Sequence, residues 1–198
     1  MKKIILTIAA IASAACALSA CGTSCNDKGG AKDKYQVLND MLDKNYSSIS
    51  ITVTDNFDKD TSLKSEYTIN YSASEITVDY KVERFAGISL DSTSTEVKKV
   101  YTGTATIKDG VVTGGEEVGL TADIAKTGFS FKEEYCINAN ITGMTFQANV
   151  KDASAFLGSQ VTYTDMTVYA EFLEIFYNIE INYTQNGNKV KYEYTFNA

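Results

Sequence analysis

Paired carboxylates are the first residues in this chain whose types and spacing could do chemistry: Glu116-Glu117, Glu133-Glu134, and the more widely spaced Glu171 and Glu174. A glycosidase sets two such groups on either side of a scissile bond, one as acid and the other as base or nucleophile. Neighbouring residues of a β-strand point to opposite faces, so the two adjacent pairs, read as strand residues, cannot reach one substrate. Acid–base catalysis is therefore not expected. Asn56, Asp58 and Asp60, with Glu66, present the alternating oxygens of a loop that could wrap a calcium ion. An EF-hand needs glycine at its sixth position and a bidentate acid at its twelfth. Here those places hold Thr61 and Tyr67, so the stretch reads as an acidic solvated loop and no metal is assigned.

The 198 residues include no histidine, which removes a Ser-His-Asp triad, a Cys-His pair and any imidazole metal ligand together. Tryptophan and proline are also missing, and with them tryptophan-based sugar platforms and proline-rich recognition segments. With 25 acidic and 18 basic side chains the formal charge is −7, the wrong sign for a nucleic-acid partner. No cofactor is implied, and the protein is read as a non-enzyme that acts by binding.

Tyrosine is the residue type that stands out. Tyr67, Tyr71, Tyr80, Tyr101, Tyr183, Tyr192 and Tyr194 all fall on the apolar side of alternating segments. A sheet lined with them could enclose a lipid or other apolar ligand, the rings giving apolar area and the hydroxyls meeting polar partners at the mouth. Tyrosines at this spacing also build ordinary cores, and the sequence leaves both readings open.

These rings must be carried by strands. Apolar residues at Tyr35, Leu38, Met41 and Leu42 have the spacing of one helix face, with Asp33 placed to cap it. The period then becomes two. Ile49-Ile51-Val53, Tyr67-Ile69-Tyr71, Ile76-Val78-Tyr80-Val82 and Tyr101-Gly103-Ala105-Ile107 each alternate with polar residues, as half-buried strands do. Lys108-Asp109-Gly110 signals a hairpin to Val111-Val112. The C-terminal half repeats this alternation at Phe129 and Phe131, at Tyr135, Ile137, Ala139 and Ile141, and at Met144, Phe146, Ala148 and Val150. Asp152 to Gly158 reads as a short capped helix. Residues 166–177 suit helix or strand, and their β-branched and aromatic content favours strand. Ile179-Ile181-Tyr183, a turn at Gln185-Asn186-Gly187-Asn188, and Val190-Tyr192-Tyr194-Phe196 close the chain.

Cysteine points elsewhere. Met1-Lys2-Lys3 leads into an Ala-rich apolar run that ends in Leu18-Ser19-Ala20-Cys21, with the charge region and core of a signal peptide. It is shorter and less apolar than the roughly 20 residues a membrane-spanning helix needs. Leu18-Ser19-Ala20-Cys21 resembles the lipobox of bacterial lipoprotein precursors, and the resemblance covers residues 1 to about 25 alone. Cys16 lacks the large apolar residue three places before it. The resemblance implies cleavage after Ala20 and a diacylglyceryl (palmitate-type) anchor on Cys21, holding the protein extracytoplasmically on the cell membrane or the outer membrane. Two acyl chains give a stable anchor where one does not. Loss of residues 1–20 removes Lys2 and Lys3 and no acid, leaving 16 basic and 25 acidic side chains and a formal charge of −9. Residues 21–34 are polar and Gly-containing, a tether whose r.m.s. reach is roughly 20 Å as a flexible coil. With Cys16 removed and Cys21 acylated, Cys25 and Cys136 either pair or remain a tether thiol and a small apolar strand residue, the plainer reading.

The expectation is one α+β domain over residues 35–198, a mostly antiparallel curved β-sheet with few helices. An echo between "YTINYSASEITVDYKVERF" and "IEINYTQNGNKVKYEYTFN" allows two similar halves, 35–115 and 125–198, though hairpin grammar alone explains it equally well. Two functions fit: a cell-envelope binding or structural module with an envelope protein partner, or a carrier of a lipid in a cavity under the sheet. Curved-sheet lipid-carrier lipoproteins are similar in anchor, size and α+β mixture, without a shared motif. A cavity of about 300 Å³ or more lined by the tyrosines would favour the carrier.

Overall fold

A computed structural model describes residues 33–56, 62–86, 97–158 and 163–198. The chain enters through helix α1 (Lys34–Leu42), whose first turn is capped by the Asp33 carboxylate accepting from Tyr35 N at 3.4 Å. Tyr35, Leu38 and Met41 form its buried stripe, at the spacing that puts three residues on one helix face. Five strands follow as a meander: β1 (Ser48–Asp55), β2 (Leu63–Tyr71), β3 (Ile76–Ala86), β4 (Val97–Lys108) and the short β5 (Val111–Thr113). A linking segment then makes three 3-10 turns, Glu116–Val118, Ala122–Ala125 and Glu133–Tyr135. The second meander is β6 (Cys136–Thr142), β7 (Thr145–Val150), β8 (Thr164–Phe172), β9 (Phe176–Gln185) and β10 (Asn188–Asn197), with helix α2 (Ala153–Phe156) between β7 and β8.

The strands form one antiparallel sheet in the order β5-β4-β3-β2-β1-β10-β9-β8-β7-β6. The first meander therefore runs from the centre to one edge, and the second from the other edge to the centre, where β1 and β10 join them. Register carries one apolar face across the seam. Ile51 stands opposite Tyr194 on one side and Tyr67 on the other. Tyr67 faces Tyr80, Ile179 faces Tyr194, and Ala170 faces Ile179. The opposite face alternates in phase: Thr52 lies between Glu193 and Glu66, and Glu66 lies beside Lys81. Its ion pairs, such as Lys64 to Glu66 at 2.6 Å, are solvated and contribute little stability.

The apolar face is covered by α1, the linking segment and α2. Phe131 is fully buried and meets Phe146, Phe156 and Phe176 at ring-centre distances of 5.2, 5.8 and 5.9 Å. Both hairpin turns read from sequence form with positive φ at two successive residues, Asp109-Gly110 and Asn186-Gly187, the geometry that matches strand twist. Residues 164–172 are a strand, and 173–175 turn into β9.

Several expected strand residues are placed otherwise. Phe129 and Phe131 belong to the linking segment, not a strand, and fill the core from above the sheet. Met144 lies in the β6–β7 turn and is exposed. The alternation through Ile137, Ala139 and Ile141 is broken by a register shift between Ile137 and Asn140, with Asn138 at φ 55°. That bulge turns Ile137 outward and buries Cys136, since one extra residue reverses the faces that follow it. Cys136 forms no disulfide among the described residues; Cys25 lies outside them. So do residues 1–32, with the lipobox and tether, and Asp58, Asp60 and Thr61 of the acidic loop.

Candidate ligand-binding cleft

The inner face of the sheet is not uniformly filled. Thr121 to Phe129 crosses it as a strap, fixed at Ala125, whose carbonyl accepts from the Tyr71 hydroxyl at 2.9 Å. Its far end is held where Ser130 N donates to Phe156 O at 3.2 Å. The segment just before the strap is also tied down: Arg84 donates to Val118 O, and Tyr80 donates to the Glu117 carboxylate. Along these fixings lie three hollows, each with strap residues in its wall. The largest, about 580 Å³, is lined by Ile51, Val53, Tyr67, Val82, Tyr183, Tyr192 and Tyr194, with Asp55 and Arg84 among its polar residues. A hollow of about 200 Å³ shares Lys126, Tyr183, Tyr192 and Tyr194 with it. A third, of about 400 Å³, shares Lys126, Thr127, Gly128 and Phe129 with the second and is walled by Tyr46, Ile49 and Tyr71.

Aromatic rings form the floor. Tyr183 and Tyr192 lie nearly parallel with centres 6.0 Å apart, Tyr192 and Tyr194 likewise at 6.2 Å, and Tyr163 meets the Tyr183 ring edge-on at 4.8 Å. Register explains this row: on β10 Tyr192 and Tyr194 are two apart, and Tyr183 of β9 stands opposite Val190. Burial raises the Tyr183, Tyr192 and Tyr194 hydroxyls above their ordinary pKa, so they stay protonated and able to donate. Asp55 retains solvent access, yet desolvation around its carboxyl lifts it above the usual carboxylate value.

All seven tyrosines singled out from the sequence lie on the inner face, but they do not share one site. Tyr67, Tyr183, Tyr192 and Tyr194 line the largest hollow, and Tyr71 walls the third. Tyr80 belongs to a separate small cluster with Val82, Ala105 and Val118, against which Tyr101 packs. The Tyr80 ring lies directly over Gly103, where a Cβ would collide with its hydroxyl end.

Sequence reading missed Asp55, Arg84 and the strap. The signal for the first two is present: Ile49-Ile51-Val53-Asp55 and Val78-Tyr80-Val82-Arg84 are apolar alternations that each end on a charge in the inward phase. The strap has no period to find, since Ala122–Ala125 is a single 3-10 turn. The carboxylate pairs are corrected as well. Glu116-Glu117 and Glu133-Glu134 sit in 3-10 turns rather than strands, so strand alternation does not separate them. Glu117 is instead engaged by Tyr80, whose hydrogen bond lowers its pKa. Among the described residues no group of His, Cys, Asp or Glu is placed to hold a metal, and no helix is long and apolar enough to cross a membrane.

No protein-family model matches the chain, and no curated protein matches it in sequence.

Proposed function

We propose that this protein is a cell-envelope lipoprotein, anchored through a diacylglyceryl group on Cys21, which acts by binding and carries an amphiphile in the cleft beneath the Thr121–Phe129 strap. The observation that carries the reading is the run of adjoining hollows over the tyrosine row. The largest, about 580 Å³, falls within the roughly 300–1,000 Å³ usual for small-molecule sites. Neighbouring hollows along the strap suit an elongated occupant such as an acyl chain, and aliphatic residues with tyrosine rings suit its apolar body. Charged Asp55 and Arg84, both solvent-accessible, suit a polar head. The anchor would place the cleft next to a bilayer that supplies such molecules, on the extracytoplasmic side of the cell or outer membrane.

The test is to purify the full chain from a bacterial envelope in detergent and extract its non-covalent lipid into organic solvent for mass spectrometry. Carriage gives close to one lipid per chain, and much less for Tyr192→Glu at equal folding. No lipid above that variant's level would overturn it. Loss of labelled palmitate on Cys21→Ser tests the anchor separately.

A second reading, an envelope interaction module with a protein partner, rests on the polar face of the ten-stranded sheet. Its Thr, Asn, Lys and Glu rows form a broad, regular surface. Crosslinking to an envelope protein, with the cleft empty, would favour it.

A further inference from the structure

The lining of the largest hollow contains five charged residues, and three of them are paired within the protein. Asp123 binds Lys126 at 2.9 Å, and Glu83 is engaged by Lys98. Two charges remain without an opposite partner among the described residues: the Asp55 carboxylate and the Arg84 guanidinium, which donates to the neutral Val118 carbonyl. Their placement is fixed by register. Asp55 of β1 stands opposite Leu63 of β2. Continuing the β2–β3 ladder two residues beyond Ser65–Val82 puts Arg84 opposite the same Leu63. Asp55 and Arg84 thus share one row and one face, two strand spacings or about 9.5 Å apart along the backbone. An apolar residue, Leu63, lies between them, and both stand at the accessible rim of a hollow that also presents Tyr67, Tyr183, Tyr192 and Tyr194 with Ile51, Val53 and Val82. The ligand charge that complements this rim is positive at one end and negative at the other.

We propose that the cleft selects a zwitterionic phospholipid, with its ammonium group on Asp55 among the tyrosine rings and its phosphate on Arg84. This rests on the carriage reading and narrows it. A carboxylate that lines the same hollow as Tyr183 and Tyr192 offers an ammonium both a charge-assisted hydrogen bond and ring faces. A guanidinium offers phosphate a forked donor. The two-carbon link of an ethanolamine head keeps its charges close enough to sit between two side chains reaching in from backbones this far apart. An anionic lipid without an amine would leave Asp55 facing the phosphate uncompensated. A free zwitterion has the same head chemistry without the apolar body.

The experiment is native mass spectrometry of the full chain released from detergent micelles, with phosphatidylethanolamine, phosphatidylglycerol or glycerophosphoethanolamine added in turn. The expected result is retention of phosphatidylethanolamine over phosphatidylglycerol by about tenfold, the size of one charge-assisted contact. Asp55→Asn should abolish that preference by lowering phosphatidylethanolamine retention and raising that of phosphatidylglycerol, and Arg84→Gln should weaken both lipids. Equal retention of the two lipids by the native chain, or a preference that survives Asp55→Asn, would overturn the charge pairing while carriage stood. Binding of glycerophosphoethanolamine with neither lipid retained would keep the pairing and overturn carriage. No adduct of any probe would overturn both.

Discussion

Asn39 and Phe131, 92 residues apart, exchange two hydrogen bonds: the Asn39 amide donates to Phe131 O at 2.8 Å and its oxygen accepts from Phe131 N at 2.9 Å. One side chain of α1 thereby satisfies both backbone groups of a residue whose ring is the centre of the phenylalanine cluster. The linking segment has no ladder here to supply such partners, and buried backbone groups need them.

Asn39→Ala should therefore destabilise the fold well beyond the loss of an average surface contact. Leaving two sheltered backbone groups unpaired costs about 1–3 kcal/mol each. Urea unfolding should show a lowered midpoint at unchanged slope, with a loss of about 2 kcal/mol or more. A loss within experimental error would show that water replaces the amide.

Gly103 is required by the Tyr80 ring that covers it. A methyl group there forces the ring aside and breaks its bond to Glu117, which holds the Glu116–Val118 turn. Gly103→Ala should cost about 1–3 kcal/mol, the usual range for overpacking. In a double-mutant cycle with Tyr80→Ala most of that cost should vanish, because the two residues are in contact. Additive losses would contradict the collision.

Alkaline pH should unfold the protein for a defined reason. Burial raises the hydroxyls of Tyr35, Tyr183, Tyr192 and Tyr194, with Tyr35 pushed up to about 12. In the unfolded chain they ionise near 10. The folded state keeps these protons where the unfolded state releases them. Stability is therefore fully present below about pH 10 and falls as pH rises through about 12. Phenolate absorbance and far-UV circular dichroism, followed together, should show these tyrosines ionising with loss of strand signal. Full ionisation with the sheet intact would contradict their burial.

Much of the sheet was legible because its faces obey a period of two. Ile49, Ile51, Val53, Tyr192, Tyr194 and Phe196 could be assigned inward from alternation alone, and Asp109-Gly110 and Asn186-Gly187 announced their turns. What was not legible depends on partners distant in sequence. The β6 bulge is a register event between two strands, invisible in the residues 136–142 by themselves. Phe129 and Phe131 have strand spacing, yet they lie over the sheet because Asn39 and Phe156 O hold the segment there. Tyr46 gave no periodic signal, although its hydroxyl donates to Met41 O at 2.7 Å and accepts from Phe176 N at 3.2 Å, joining α1 to β9. For the cleft, the tyrosines could be picked out by phase, but the strap that roofs four of them and leaves Tyr80 and Tyr101 elsewhere could not.

Carriage beneath the strap is tested most directly by an indole placed in the cleft, since the chain has no tryptophan of its own. Tyr192→Trp in the full chain would report the hollow, and Tyr177→Trp, at an exposed position on β9, would report the surface. Titration with a phospholipid brominated along its acyl chain should quench the Tyr192→Trp protein in a saturable way, complete near one lipid per protein, while the Tyr177→Trp protein changes little. Equal weak quenching of the two proteins, or none at the cleft position, would contradict carriage.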